Sequence, residues 1–89
     1  MPGLEMTEAY LKQLCKEGRH TADTYTTPEL NDKLYLHYKG FREIKALERY
    51  TGLKVLWLEG NGLTAIGGLS TQEKMRTLYL HENCIDKIE

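Results

Sequence analysis

The stretch Leu53-Lys54-Val55-Leu56-Trp57-Leu58-Glu59-Gly60-Asn61-Gly62-Leu63-Thr64-Ala65-Ile66-Gly67-Gly68-Leu69 decides how this chain folds. Leu56 and Leu58 stand two apart, so on a short strand both point to one face, and Trp57 between them points to the other. Asn61 follows where the strand gives way to a turn. Its carboxamide can bond backbone groups of an adjacent turn that would otherwise be buried and unpaired. One strand-and-turn unit cannot cover its own apolar row, so the stretch requires neighbours of its own kind.

Those neighbours appear when the chain is laid against itself at a shift of 22. Leu34, Leu56 and Leu78 fall in one column, and Leu36, Leu58 and Leu80 in the next. Phe41, Leu63 and Ile85 form a third, Ile44, Ile66 and Ile88 a fourth, and Leu47 aligns with Leu69, Leu53 with Met75, Asn61 with Asn83. A period of roughly 20 to 29 residues is that of leucine-rich repeats. The sequence therefore predicts an α/β leucine-rich-repeat solenoid, with short parallel strands on its concave face and a core made continuous by stacking. The later half of each repeat, from Gly67 to Lys74, is expected to form a short helix or turn on the convex side. Ile66 and Leu69 there are spaced for one helical face. Gly60, Gly62, Gly67 and Gly68 read as turn residues of the repeat.

Working outward, residues 6–29 read as an N-terminal capping helix with its connection, and residues 30–89 as the repeats, two complete and the third truncated. Residues 1–5 read as an extraneous remnant. Thr7 suits a helix N-cap, and Met6 can pack on Leu11 as a hydrophobic staple. Leu11, Leu14 and Cys15 make a narrow apolar stripe, and Gly18 is placed to stop the helix. Such a helix would cover the open end of the stack, as solenoids require. Arg19 to Thr26 is polar and threonine-rich and reads as a flexible connection, and Thr27-Pro28-Glu29 as a second helix start, with Pro28 at its first position. Lys39 stands where later repeats carry Asn61 and Asn83, which fits a terminal repeat with a solvated outer side. The chain stops at Glu89 with the third repeat half complete, so it reads as a piece of a longer solenoid. Its open edge at Leu78-Tyr79-Leu80 is expected to pair with another chain or to self-associate.

Composition narrows the function. Eighty-nine residues make one domain at most, and 12 basic against 13 acidic side chains leave a net charge of -1. Nucleic-acid binders carry a basic excess that releases counterions from phosphates, and none is present. No apolar run approaches the roughly 20 residues that span a bilayer, and the N-terminus lacks the basic and apolar regions of a signal peptide. Cys15 and Cys84 are the two cysteines, far apart and without disulfide-framework spacing, which favours a reduced intracellular compartment. Both read as buried packing residues, Cys15 on the helix stripe and Cys84 in the turn beside Asn83. No serine, cysteine or carboxylate pair forms a catalytic constellation, and no glycine-rich phosphate loop follows a strand. Neither catalysis nor a cofactor is expected.

The concave face carries three rows: Lys33, Tyr35, His37; then Val55, Trp57, Glu59; then Thr77, Tyr79, His81. Tyr35, Trp57 and Tyr79 should stack across adjacent strands at about 4.8 Å. An exposed stripe of this kind resembles an interface hot spot, where Trp and Tyr supply large contact area. The plainer reading is that aromatics favour strands and pair across them. His37, Glu59 and His81 form a second row at the polar edge of this partner surface. The two histidines sit about 10 Å apart in this geometry, so both could ligate one ion at close to 2 Å only with distortion of the sheet. They read as a solvated charge row.

The parts outside the general repeat carry a narrower resemblance. Met6-Thr7, Leu11, Leu14-Cys15-Lys16, Thr27-Pro28-x-Leu30-Asn31-Asp32, Leu34-Tyr35-Leu36-His37 and Lys39-Gly40-Phe41 resemble the opening of the leucine-rich-repeat axonemal dynein assembly factor family. Tyr50-Thr51-Gly52-Leu53, Leu56-Trp57-Leu58 and Asn61-Gly62 continue the match, which covers nearly the whole chain from Met6. The chain departs from that family in length, lacking later repeats and the terminal cap. The resemblance implies a cytoplasmic, non-catalytic scaffold in cells with motile cilia or flagella that helps assemble dynein arms. Its implied partners are dynein subunits or assembly chaperones, and its implied sites the cytoplasm and the cilium or flagellum. It carries over no established functional residue. Two other readings use the same kind of repeat: a regulatory subunit that binds a phosphatase or another enzyme, and a structural axonemal protein bound to tubulin or dynein heavy chain.

Overall fold

The computed structural model describes residues 5–18 and 24–88. Helix α1 spans Glu8–Gly18, a single 3-10 turn spans Pro28–Leu30, and five short strands follow: β1 Lys33–Tyr35, β2 Val55–Trp57, β3 Ala65–Ile66, β4 Thr77–Tyr79 and β5 Lys87–Ile88. β1, β2 and β4 form a parallel sheet in that order, and β3 pairs in parallel with β5. Among the described residues the architecture is thus α/β, with one α-helix, a three-stranded parallel sheet and a two-stranded parallel pair.

Register follows the sequence columns. Leu34 lies opposite Leu56 and Leu56 opposite Leu78, with Tyr35, Trp57 and Tyr79 in the adjoining positions. The backbone hydrogen bonds repeat at the same interval. Leu36 N–H donates to the Trp57 carbonyl and Leu58 N–H to the Tyr79 carbonyl, both at 2.9 Å. Tyr50 donates to Leu47 as Gln72 does to Leu69, and Gly62 to Phe41 as Cys84 does to Leu63. Left-handed backbone recurs as well, at Tyr38, Gly60 and Glu82 and again at Ala46 and Gly68. These pairs stand 22 residues apart, so the conformation repeats along with the composition.

The asparagine column explains how the turns stack. Asn61 Oδ1 accepts from the N–H groups of Lys39, Gly40 and Phe41, while Asn61 Nδ2 donates to the carbonyls of Leu36 and Leu58. One buried carboxamide thereby closes its own turn and satisfies the turn before it. Asn83 repeats the arrangement, donating to Leu58 and Leu80 and accepting from Leu63 N–H. Lys39 carries no such bond, because the described chain places no turn ahead of it.

The core is one cluster built from Leu34, Leu36, Phe41, Leu47, Leu53, Leu56, Leu58 and Leu63, joined by Met6, Leu11 and Cys15. Helix α1 reaches it with a narrow face, since Leu11 and Cys15 are buried while most of the helix is exposed. Thr7 Oγ1 accepts from Tyr10 N–H at 3.1 Å, so it caps the helix as its position implies. Tyr10 meets Phe41 edge-to-face at 5.8 Å. Burial declines along the stack: Leu56 and Leu58 are fully covered, whereas Leu78, Leu80, Met75 and Ile85 are only partly buried.

Three expectations are corrected. Ile66 does not share a helical face with Leu69; it lies in β3, and the segment 67–76 contains turns and bends but no helix. Cys84 is exposed rather than buried. It aligns with Gly62 in a turn over which no further turn of the described chain is stacked. Within the expected flexible connection, 19–23 lies outside the described residues, but Thr24 to Thr26 is anchored. Thr24 is buried with its hydroxyl donating to the Cys15 carbonyl at 2.8 Å, and Tyr25 exchanges hydrogen bonds with the buried Asn31 side chain. The second helix start amounts to the single turn Pro28–Leu30, with Pro28 first as expected. The side chains of Lys87 and Ile88 lie outside the described residues.

Candidate functional site

Strand alternation sets up the site. Leu34, Leu56 and Leu78 turn inward, so the residues that follow them turn to the open face. Parallel pairing in register then places Tyr35, Trp57 and Tyr79 side by side. Tyr35 and Trp57 stack with ring centroids 4.4 Å apart and 17° between planes. Trp57 and Tyr79 stack at 5.4 Å and 13°. Both faces of the indole are therefore covered, and Tyr35 and Trp57 are half-buried, while Tyr79 at the edge strand retains 38% of its exposure. A partner approaching this face meets the rims of two rings and an open side of the third.

The polar row lies where the strands enter their turns. His37 packs edge-on to Tyr35 at 6.4 Å and to Tyr38 at 5.9 Å. His37 and Glu59 are half-buried and His81 is exposed. Backbone bonds align the three turns, with Tyr38 N–H donating to the Glu59 carbonyl and Gly60 N–H to that of His81. His37 Nδ1 and Glu59 Oε1 are each buried without a hydrogen-bond partner. Among the described residues, no three His, Cys, Asp or Glu side chains are grouped to hold a metal ion.

Two residues beside this row were not singled out from the sequence. Tyr38 adopts φ 52, its ring lies over Gly60, and its hydroxyl donates to the Glu82 carboxylate. That bond, followed by desolvation and the charges of Glu82 and Glu59, holds the exposed Tyr38 hydroxyl above its ordinary pKa. The available signal was the column Tyr38, Gly60, Glu82, whose middle member is glycine. Elsewhere in the core, Cys15 and Tyr50 approach each other, and burial is the leading cause that raises both of their pKa values. A polar hollow of about 380 Å³ lined by Glu8, Lys12, Thr27 and Arg49 opens nearby and presents no nucleophile beside a base.

The chain matches no protein-family model, and no solved structure matches it. Curated proteins do. It is 54% identical over 59 residues to "Dynein axonemal assembly factor 1 homolog" of Drosophila melanogaster, covering 66% of this chain and 4% of the fly protein. It is also 54% identical over 56 residues to "Dynein axonemal assembly factor 1" of Rattus norvegicus and of Mus musculus, covering 63% of this chain and 8% of each relative. The chain thus spans a small part of the length of the curated relatives it matches. These similarities support the family resemblance over 63–66% of this chain.

Proposed function

From this similarity to dynein axonemal assembly factors, we propose that the chain is the N-terminal part of a leucine-rich-repeat solenoid serving as a non-catalytic protein-binding scaffold in the assembly of axonemal dynein arms. In this reading residues 6–29 form the capping helix and its connection, and residues 30–89 the first repeats. The open face of the sheet is the concave face. Its partners are dynein subunits or assembly chaperones, and it works in the cytoplasm and the cilium or flagellum. Among the described residues no helix is long and apolar enough to cross a membrane.

The observation that carries the scaffold reading is the continuous stack of Tyr35, Trp57 and Tyr79 on one sheet face. Aromatic side chains supply large contact area at little cost in conformational freedom, and stacking fixes these rings before a partner arrives. His37, Glu59 and His81 form the polar rim that surrounds such a centre.

The test is to tag the full-length protein in its flagellated source and identify what co-purifies from soluble cytoplasm, wild type beside Trp57→Ala, with folding checked by circular dichroism. Dynein chains and chaperones in the wild type, depleted in the variant, support the role and the site together. Dynein retained by both keeps the role and moves the site. A phosphatase without dynein favours the regulatory-subunit alternative, and recovery only from salt-extracted axonemes favours a structural axonemal protein.

A further inference from the structure

We propose that the partner lays an acidic stretch of chain against this face, its carboxylates received at the strand starts by Lys33, Lys54 and Arg76 while an adjoining apolar side chain meets the rims of the aromatic stack. This rests on the scaffold reading and names the chemistry of its partner.

Three exposed cations gather where the strands begin. Lys33 opens β1 two residues before Tyr35, and so on the same face of the sheet. Lys54 and Arg76 stand just before β2 and β4. Backbone bonds hold them in line, with Lys54 N–H donating to the Asp32 carbonyl and Arg76 N–H to the Lys54 carbonyl, both at 2.8 Å. Neighbouring strands run about 4.8 Å apart, so two like charges are set side by side, an arrangement that costs stability. The ion pairs among the described residues engage Lys45 and Arg49 and none of these three. In the columns Asp32, Lys54, Arg76 and Lys33, Val55, Thr77, Asp32 is the single acid. Carboxylates on a partner supply the missing counter-charge.

The strand ends carry the opposite sign. The columns His37, Glu59, His81 and Tyr38, Gly60, Glu82 hold two carboxylates and no lysine or arginine. Tyr35, Trp57 and Tyr79 lie between the two edges. An acidic stretch is therefore attracted at one end of the stack and repelled at the other, which fixes its direction as well as its place. A basic stretch at the acidic edge is less well served, because Glu59 is half-buried and Glu82 is held by the Tyr38 hydroxyl.

Trp57 is the only tryptophan, so its fluorescence reports this face alone. The test titrates the 89-residue chain with capped Glu-Glu-Leu-Leu, Gln-Gln-Leu-Leu and Lys-Lys-Leu-Leu. A saturable Trp57 response is expected with the glutamate peptide, binding at least about fivefold weaker with the glutamine peptide, and none with the lysine peptide. Lys54→Gln combined with Arg76→Gln should weaken the glutamate peptide about tenfold, or about 1.4 kcal/mol, with an unchanged circular dichroism spectrum. Lys12→Gln combined with Lys16→Gln, both on the exposed side of α1, should leave it unaltered. Equal binding of the glutamine peptide, an unaltered affinity in the strand-start variant, an equal loss in the helix variant, or no saturation up to the solubility limit would overturn the proposal. The scaffold reading falls separately: partners depleted by Trp57→Ala but kept by the strand-start variant leave the scaffold standing without its acidic ligand.

Discussion

The hydroxyl of Tyr38 donates to the carboxylate of Glu82, a residue 44 positions away in sequence, and the ring between them lies across Gly60. A strap of three successive turns is thus closed at the rim of the site. It depends on glycine twice over, because Gly60 sits at φ +69 and any Cβ there would fall inside the Tyr38 ring. Gly60→Ala should therefore lose more stability than Gly40→Ala, which shares positive φ but meets nothing within 4 Å. The control should lose about 1–2 kcal/mol for left-handed backbone alone, and Gly60→Ala a further amount set by displacing the ring. Urea denaturation of both variants reads the difference, and equal midpoints would show that the ring swings aside freely.

Asn61→Ala should be the most damaging polar substitution in the chain. Its carboxamide serves three N–H groups of the preceding turn and two carbonyls. At roughly 1–3 kcal/mol for each buried group left unpaired, removing it should cost about 3 kcal/mol or more. Lys39→Ala at the equivalent position of the first repeat should change stability by less than about 0.5 kcal/mol, as an exposed substitution does. Matched unfolding curves by circular dichroism check both, and equal losses would remove the asparagine column as the explanation of turn stacking.

These residues also show what the sequence could reveal. Leu34, Leu56 and Leu78 share one column of the sequence, and the strands pair in that register, because inward-pointing leucines leave a parallel sheet little choice. The aromatic column follows from the same alternation. Ile66 is ambiguous in sequence because a three-residue spacing to Leu69 is compatible with a helix face, and only pairing of β3 with β5 shows the backbone to be extended. The exposure of Cys84 is not legible in its own turn, because burial depends on a covering layer. Asn31 and Gln72 are buried polar residues, Asn31 closing its own loop through Tyr25 and Gln72 reaching a distant turn. Gln72 stands where the preceding repeat has Tyr50, and its amide donates to the carbonyls of Leu47 and Tyr50. No local pattern marks either.

The two thiols should separate cleanly in a reaction with an aromatic disulfide reagent. Cys84 is exposed and Cys15 is buried, so one equivalent should react at once and the second only as the chain opens. Urea should accelerate the slow phase in step with unfolding. Two equally fast thiols would show that α1 does not hold Cys15 in the core.

Alkaline pH should weaken the fold through Cys15 and Tyr50. Burial, the leading cause at each, raises the folded-state pKa above the ordinary values of 9.0 and 10.0. The folded chain then binds more protons than the unfolded one wherever the unfolded thiol and phenol ionise, so stability falls as pH rises. It is fully present below about pH 8 and is lost progressively through pH 9 and above. Thermal midpoints measured from pH 7 to 10.5 should decline over that upper range, and Cys15→Ala should delay the onset toward the Tyr50 region. A flat profile would contradict the burial of both groups.

The stack itself should be energetically coupled and not merely aligned. In a double-mutant cycle, Tyr35→Ala and Trp57→Ala together should cost less than the sum of the single changes, by about 0.5–1.5 kcal/mol for an aromatic pair in contact. The Tyr35 and Tyr79 pair, separated by Trp57, should show a coupling near zero unless the indole transmits it. Coupling confined to adjacent rings would make Trp57 the keystone of the face, since it alone touches both partners. No coupling in either pair would mean that the rings share a register without supporting one another, and the preformed character on which the scaffold reading relies would be lost.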